Sequence, residues 1–323
     1  MRRVTFFAAA LLAGAPFAHA ADEYPAKPVT VVLPFPPGAI AELVARPAMQ
    51  AMQTALGQPF VITNRTGAGG AVGNAYVATA RPDGYTLLVT LSSMTAIPAL
   101  QKANGQEPTY RVEQLEPVAM ITAVPQILLA RADGPWKSIQ DLVGDARKQP
   151  DKISYGSSGV YGDIHLAVEM LGQAAGVRFF HVPYQGGGPA VTALIASQVD
   201  FSNSVVQAIP LIRGGKARPL AVFGSKRYAL LPDVPTLKEA GYDVECYLWV
   251  GMFAPSGVPV SVMQRLREGM RKAALDEQLK ATLDKLGTPV NYLDAPEFRS
   301  FIDADTRRLE QTIVRMGPTK EAK

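Results

Sequence analysis

Short runs of β-branched residues alternate with helical patterns along most of this chain, and no other feature of the sequence constrains the fold as strongly. Residues 29–33, Val-Thr-Val-Val-Leu, predict a strand, the apolar spacing over 40–56 predicts a helix, and residues 60–63 predict a second strand. Strands that alternate with helices form parallel or mixed sheets covered on both faces. The sequence therefore predicts an α/β fold.

The alternation continues to the end of the chain. Further strands are predicted at 85–90, 126–130, 153–155, 179–182, 199–201, 219–222 and 250–254, and further helices at 138–148, 162–174, 189–196, 259–274, 277–286 and 296–316. A second set of elements begins near residue 123, and the strand at 219–222 leads back toward the first set. With 323 residues available, we predict two domains: residues 21–122 together with 224–323, and residues 123–223.

The N-terminus has the pattern of an export signal. Arg2 and Arg3 precede an apolar run, residues 6–15, that is too short to span a bilayer, and Ala-His-Ala at 18–20 fits a signal peptidase site. We therefore predict a signal peptide over residues 1–20 and a periplasmic mature protein. No later segment reaches the roughly 18 uninterrupted apolar residues of a membrane span.

Charge and cysteine content exclude several classes of function. Cleavage removes two arginines and no acid, so the formal charge falls from +4 to +4 − 2 = +2, which gives no reason to expect nucleic acid as a partner. Cys246 is the one cysteine, so the chain has no disulfide framework, no thiolate zinc site and no CxxC redox pair. We predict no cofactor and no metal.

Three strand-to-helix junctions share one design. Glycines separate a strand end from a helix start at residues 34–39, 156–162 and 183–189. Free backbone N–H groups and the positive end of a helix dipole meet at such junctions, and ligands of open α/β sheets bind beyond the strand ends. The alternative is that the glycines serve only tight turns and Ser158 only caps a helix. The recurrence of the design favours one anion site shared by both domains.

Constellations typical of enzymes are mostly missing. After cleavage only His165 and His181 remain, and neither HExxH nor GxSxG occurs. We interpret both histidines as structural and predict that the protein is not an enzyme. The glycine run at 67–73 is similar to a nucleotide loop, but it follows the second strand, and Asp83 lies in a Pro-Asp-Gly turn. An exported hydrolase of small esters or amides, and a ligand-sensing partner of a signalling protein, remain alternatives.

An ordered set of short motifs spans nearly the whole mature chain. They include Pro-Phe-x-Pro-Gly at 34–38, Asn-Arg-x-Gly-Ala-Gly-Gly at 64–70, Pro-Asp-Gly-Tyr-Thr-Leu at 82–87, Tyr-x-Ser-Ser-Gly at 155–159, His-Val-Pro-Tyr at 181–184 and Leu-Pro-Asp-Val-Pro-Thr at 231–236. With these motifs the chain resembles the Bug family, the solute-binding receptors of tripartite tricarboxylate transporters.

The resemblance implies a monomeric periplasmic binding protein of the Venus flytrap type, with mixed, mostly parallel sheets and a hinge crossed twice. We expect each sheet to be parallel with one antiparallel member near the hinge. The implied ligand is a small carboxylate, and the implied partners are subunits of the membrane transporter. The site that it implies lies on the loops described above. Its residues are Phe35, Gly38, Ala39, Ile40, Ser92, Ser157, Ser158, Gly159, Tyr161, Gly162, Tyr184, Gly186, Gly187 and Asn203.

The chain departs from the family pattern in each loop. Residues 39–42 are Ala-Ile-Ala-Glu where the family usually has Gly-Ser/Thr-x-Asp, Gly162 replaces a Ser or Thr, and Gln185 replaces a Lys. If Ile40 and Tyr161 face the ligand, we expect a monocarboxylate with an apolar or aromatic body, because a second carboxylate would be buried unpaired. The alternative is that Ile40 starts a helix that packs inward.

Overall fold

The structure, a computed structural model, describes residues 24–317 and contains two β-sheets with helices packed against them. The predicted signal peptide lies outside the described residues. Among residues 24–317, no helix combines the length and the apolar character that crossing a membrane requires.

Eleven strands and ten α-helices make up the described part of the chain. The strands are β1 (Val29–Leu33), β2 (Phe60–Asn64), β3 (Thr86–Leu91), β4 (Leu115–Pro125), β5 (Ile127–Arg131), β6 (Ser154–Ser157), β7 (Phe180–Pro183), β8 (Phe201–Ser204), β9 (Ala217–Val222), β10 (Tyr247–Pro255) and β11 (Leu293–Asp294). The helices are α1 (Ile40–Leu56), α2 (Ala71–Ala78), α3 (Ser93–Ala103), α4 (Ile139–Lys148), α5 (Asp163–Ala175), α6 (Gly187–Ile195), α7 (Ile209–Arg213), α8 (Val260–Ala274), α9 (Glu277–Lys285) and α10 (Ala295–Met316).

Each sheet organises one lobe of the molecule. The first sheet has the strand order β11-β4-β10-β3-β1-β2, and the second has the order β7-β6-β8-β5-β9. We call the first sheet with α1–α3 and α8–α10 the first lobe, and the second sheet with α4–α7 the second lobe. The sheets are mixed, as predicted.

Each sheet is mostly parallel with an antiparallel strand beside a crossing, as predicted. In the first, β1 runs parallel to β2 and β3, but β10 is antiparallel to β3 and β4, and β11 is antiparallel to β4. In the second, β6 runs parallel to β7 and β8, but β5 is antiparallel to β8 and β9. Strands β4 and β9 run in the same direction as the parallel strands of their sheets. The antiparallel member next to a crossing is therefore β10 in the first sheet, which also has the two-residue edge strand β11, and β5 in the second.

The chain passes between the sheets twice. Strand β4 continues into β5 with Gln126 between them, and the segment 223–246 leads from β9 to β10. Side chains of this second segment, Leu237, Val244 and Cys246, pack in the core of the second lobe. The domain boundary predicted at residue 224 assigns residues 224–246 to the first domain, whereas these side chains pack in the second lobe.

The first sheet is covered on both faces. Successive residues of β3 point to opposite sides: Leu87 and Val89 pack toward α1 and α8, and Leu88 packs with Trp249 and Phe298. Because both faces are covered there, the central strands β3, β4 and β10 are buried along most of their length, whereas the edge strand β2 alternates. This packing holds the loops at the strand ends in place.

Candidate functional site

A cavity of about 190 Å³ lies where the two lobes meet, beyond the carboxyl ends of β6 and β8. We call it the interlobe cavity. It is lined by Gln126, Ser158, Asp163, Ile164, Gly187, Gly188, Ser204, Val205, Gln207 and Leu248. Leu248 belongs to β10 of the first sheet, and Gln126 lies at the first crossing. The cavity therefore takes its walls from both lobes and from the hinge.

Two helices begin at this cavity without a side-chain cap. Helix α5 starts after Gly162 and helix α6 after Gly186, whose φ of 112° is a conformation that favours glycine. Helix α6 has no acid in its first turn, and the N–H groups of Gly187 and Gly188 meet no acceptor within residues 24–317. Uncapped N–H groups and the helix dipole make such a start suitable for an anion.

The two serines of the second loop differ in what their hydroxyls do. The Ser157 hydroxyl is buried, accepts a bond from the Gly159 N–H at 3.2 Å and lies 2.6 Å from Nε2 of His181. The half-buried Ser158 lines the cavity, and its hydroxyl has no hydrogen-bond partner among the described residues. Ser157 therefore shapes the loop, and Ser158 is the hydroxyl available to a ligand.

The histidines behind this loop are stacked. The His165 and His181 rings lie 3.8 Å apart, and Nδ1 of His165 accepts the Tyr161 N–H at 2.7 Å. Burial, together with the neighbouring ring of His181, lowers the pKa of His165 to about 3, and burial lowers the pKa of His181 to about 4. Both rings are therefore neutral at pH 7, and His165 fixes the loop that leads into α5.

Asp163 begins α5 and contacts the first lobe. Its Oδ2 accepts a hydrogen bond from the Ser92 hydroxyl at 3.2 Å, which joins the end of β3 to the start of α5. Desolvation at the cavity wall raises the pKa of Asp163 to about 6, while the Ser92 bond opposes the rise and nearby Asp305 adds to it. The chain thus places one partly desolvated acid at the cavity wall.

An amide network connects the hinge with the second sheet. The Gln126 Nε2 donates to the Asp163 carbonyl at 3.2 Å, and Gln126 Oε1 accepts from Nδ2 of Asn203 at 3.2 Å. Asn203 is fully buried, and its Oδ1 finds no partner within the described residues. Asn203, a predicted site residue, thus acts on the cavity through Gln126 rather than lining it.

The first-domain loop does not line the interlobe cavity. The Gly38 N–H donates to the Glu42 carboxylate at 2.6 Å, and Glu42 also pairs with Arg46. Ile40 packs against the core of the first lobe, and the Phe35 carbonyl accepts a bond from Asn64. The polar and apolar groups of this loop therefore find their partners within the first lobe. Contact of Phe35, Gly38, Ala39 and Ile40 with a ligand remains a prediction.

Tyr161 and Tyr184 point elsewhere. The Tyr161 hydroxyl donates to the Gly317 carbonyl at 2.7 Å, and its ring packs with residues of α3 and α10. Tyr184 packs against an apolar cluster of the second lobe and lies close to Gly156. Neither ring lines the interlobe cavity, so an argument for an aromatic ligand gains no support from Tyr161.

Sequence reasoning missed eight lining residues: Gln126, Asp163, Ile164, Gly188, Ser204, Val205, Gln207 and Leu248. Gln126 fell inside a predicted strand, and Leu248 came just before one. Asp163 was interpreted as an ordinary acid of a first helical turn. Gly188 extends the glycine run of the third junction, which was the one available signal.

A larger groove, about 500 Å³, lies between the second lobe and the end of α10, beside the ends of α4 and α5. Its arginines are already engaged: Arg178 pairs with Asp151, Arg147 donates to the Ala175 carbonyl, and Arg315 donates to Gln173. It is lined by helix C-termini, which carry partial negative charge. The interlobe cavity is the better candidate for an anion despite its smaller volume.

Comparison with known proteins decides the family. The profile of the tripartite tricarboxylate transporter family receptors matches residues 44–317. The chain belongs to this receptor family. The Venus flytrap fold predicted for the receptor is confirmed by a solute-binding protein of the same family from Polaromonas, which has a TM-score of 0.81 and 25% identity over 90% of this chain and 99% of that one.

Two receptors from Rhodopseudomonas palustris were solved with ligands. One, with adipate, has a TM-score of 0.76 and 28% identity, covering 92% of this chain and 100% of that one. The other, with malate, has a TM-score of 0.73 and 31% identity, covering 90% of this chain and 100% of that one. Receptors similar to this one therefore bind dicarboxylates.

The raised pKa of Asp163 makes the stability of the receptor depend on pH in a predictable way. An acid whose pKa is raised in the fold weakens it above that pKa, and the penalty disappears as the pH falls below the ordinary value near 4. We expect Asp163→Asn to raise the free energy of unfolding by about 2 kcal/mol at pH 7.5 and by less than about 1 kcal/mol at pH 4. Urea unfolding at both pH values measures this, and an equal effect at both contradicts it.

Proposed function

We propose that this receptor binds a small carboxylate in the interlobe cavity, closes its two lobes around it and presents it to a tripartite tricarboxylate-type membrane transporter. The observation that carries the proposal is the uncapped start of α6, where the N–H groups of Gly187 and Gly188 and the Ser158 hydroxyl border one cavity. The adipate and malate held by similar receptors support the ligand class.

Closure follows from the way the cavity is built. Its walls come from both lobes, so a ligand that contacts Leu248 on one side and Gly188 on the other stabilises the closed state. The Ser92–Asp163 hydrogen bond spans the same gap. We place the two domains on either side of the crossings at Gln126 and near residue 246. The export signal at residues 1–20 and the family support a periplasmic location.

A thermal-shift screen with mono-, di- and tricarboxylates, each beside its uncharged amide, tests the ligand class. A ligand at 100 times its dissociation constant stabilises the folded state by roughly 2.7 kcal/mol. We expect at least one acid to raise the melting temperature while its amide does not. Equal shifts for acids and amides, or no shift with any acid, would contradict carboxylate binding.

We propose further that the receptor catalyses no reaction. Within residues 24–317, the Ser157–His181 contact of 2.6 Å is the feature that favours the alternative of an exported hydrolase. Against it, Ser157 is fully buried, and no carboxylate within residues 24–317 lies in ion-pair distance of His181 to orient the ring. We expect no turnover of small esters and amides. Hydrolysis that disappears in His181→Ala would overturn this proposal.

A further inference from the structure

Asp163 is the one charged side chain among the described residues that line the interlobe cavity. Its Oδ2 is occupied by the Ser92 hydroxyl, whereas Oδ1 accepts no hydrogen bond from residues 24–317 and is not sealed from solvent. No Lys, Arg or His of the described chain lies in ion-pair distance of it. Asp163 therefore brings to the cavity wall a carboxylate with one oxygen that has no hydrogen-bond partner and with no counter-charge among the described residues.

We infer that the solute is a zwitterion, whose carboxylate binds at the start of α6 and whose positively charged nitrogen pairs with Oδ1 of Asp163. The inference rests on the proposed function, because it takes the interlobe cavity as the ligand site. It adds a second charged group to the ligand and assigns Asp163 as the residue that selects it.

The starts of α5 and α6 differ in charge. This difference determines which end of the ligand binds at each helix. Helix α5 carries its own acid, Asp163, at its first position, which offsets the positive end of its dipole. Helix α6 has no acid in its first turn, so Gly187 and Gly188 retain the full attraction for an anion. One end of the cavity thus attracts a negative group and the other a positive group.

The charges behind Asp163 do not neutralise it. The neighbouring charged group that acts on it is Asp305, another acid, whose own partners are Trp249, Thr95 and Arg308. With a pKa raised to about 6, the Asp163 carboxyl is still mostly ionised at pH 7. A ligand with a second carboxylate would meet like charge here, whereas an ammonium group would meet its counter-ion.

The remaining cavity walls fit the part of the ligand that joins its carboxylate to its ammonium group. Ile164, Val205 and Leu248 offer apolar surface, and Ser204 and Gln207 offer neutral polar groups. Within residues 24–317, no basic side chain lines the cavity to receive a second carboxylate. A small amino acid has the required chemistry: one carboxylate, one ammonium group and a compact body.

Matched pairs of ligands that differ only in the amino group test the inference. The starting pairs are leucine and 4-methylpentanoate, phenylalanine and 3-phenylpropanoate, and aspartate and succinate; any other acid found in the thermal-shift screen is paired with its 2-amino derivative. Calorimetric titration at pH 7.5 gives both dissociation constants. We expect the amino member of the binding pair to bind roughly ten- to a hundredfold more tightly, the range for one charge-assisted hydrogen bond.

Variants of Asp163 test whether this residue causes the tighter binding of the amino-bearing ligand. Asp163→Asn should bring the two dissociation constants within about threefold of each other, and Asp163→Ser serves as a second neutral variant that suits a helix start. Asp303→Asn removes the same charge from an exposed position of α10 and should leave the preference unchanged. A preference for the acid without an amino group, or a preference that survives both Asp163 variants, overturns the inference while carboxylate binding stands. Failure of every acid and every amino acid to bind contradicts the proposed function itself.

Discussion

We expect Gly188→Asp to fold normally and to lose carboxylate binding by more than a hundredfold. Gly188 lines the cavity in the first turn of α6, and a side chain there meets no atom within 4 Å. An acid near a helix start favours the helix by about 0.3–1 kcal/mol. The same carboxylate would compete for the free N–H groups and repel the ligand by roughly 3 kcal/mol at 5 Å, which corresponds to the predicted loss.

Gly188→Asn is the matched control because asparagine has the shape of aspartate without its charge. We expect calorimetric titration to show at most a tenfold loss for this variant, and circular dichroism to show native folds for both. If the two variants lose binding equally, the loss is steric. If neither loses binding, the carboxylate does not bind at the start of α6.

The second large effect concerns the core that supports the cavity from the first lobe. Trp249 is fully buried, meets Phe298 edge to face at 5.4 Å and donates its indole N–H to Asp305 at 3.1 Å. We expect Trp249→Ala to lower the free energy of unfolding by about 3–5 kcal/mol through the cavity that it leaves. Asp305 would also lose a hydrogen-bond donor inside the protein, which adds to the cost.

Trp249→Phe separates the two contributions, because it keeps much of the ring packing and removes the N–H group. We expect it to cost about 1–3 kcal/mol, less than Trp249→Ala. Chemical denaturation at pH 7 compares the three proteins. A loss below about 1 kcal/mol for Trp249→Ala would show that the packing around this strand contributes little.

The periodic elements could be predicted from the sequence because their local signals agree with the fold. Helix α1 spans Ile40–Leu56, the predicted range, since its apolar stripe and the glycine after its last turn are both local features. Strand β4 and helix α3 were missed. Residues of β4 are buried nearly throughout, so the strand lacks alternation, and α3 carries Pro98 in its interior.

The site could be predicted only as far as the loops that build it. The second and third glycine junctions do meet at one cavity, and Ser158 and Gly187 line it. Where a side chain points depends on contacts far away in sequence, such as the bond between Tyr161 and Gly317. The environment of the Asp163 carboxylate likewise depends on the other lobe, because Ser92 donates a hydrogen bond to its Oδ2. No local pattern contains that information.

A crystal structure of the receptor with its bound solute tests the central claim most directly. The acid returned by the thermal-shift screen, or its 2-amino derivative if that binds more tightly, would be the ligand. We predict its carboxylate within hydrogen-bond distance of the N–H groups of Gly187 and Gly188, with Leu248 of the opposite lobe against its body. A ligand bound instead in the groove beside Arg147 and Arg315, with the interlobe cavity unchanged, would contradict the account.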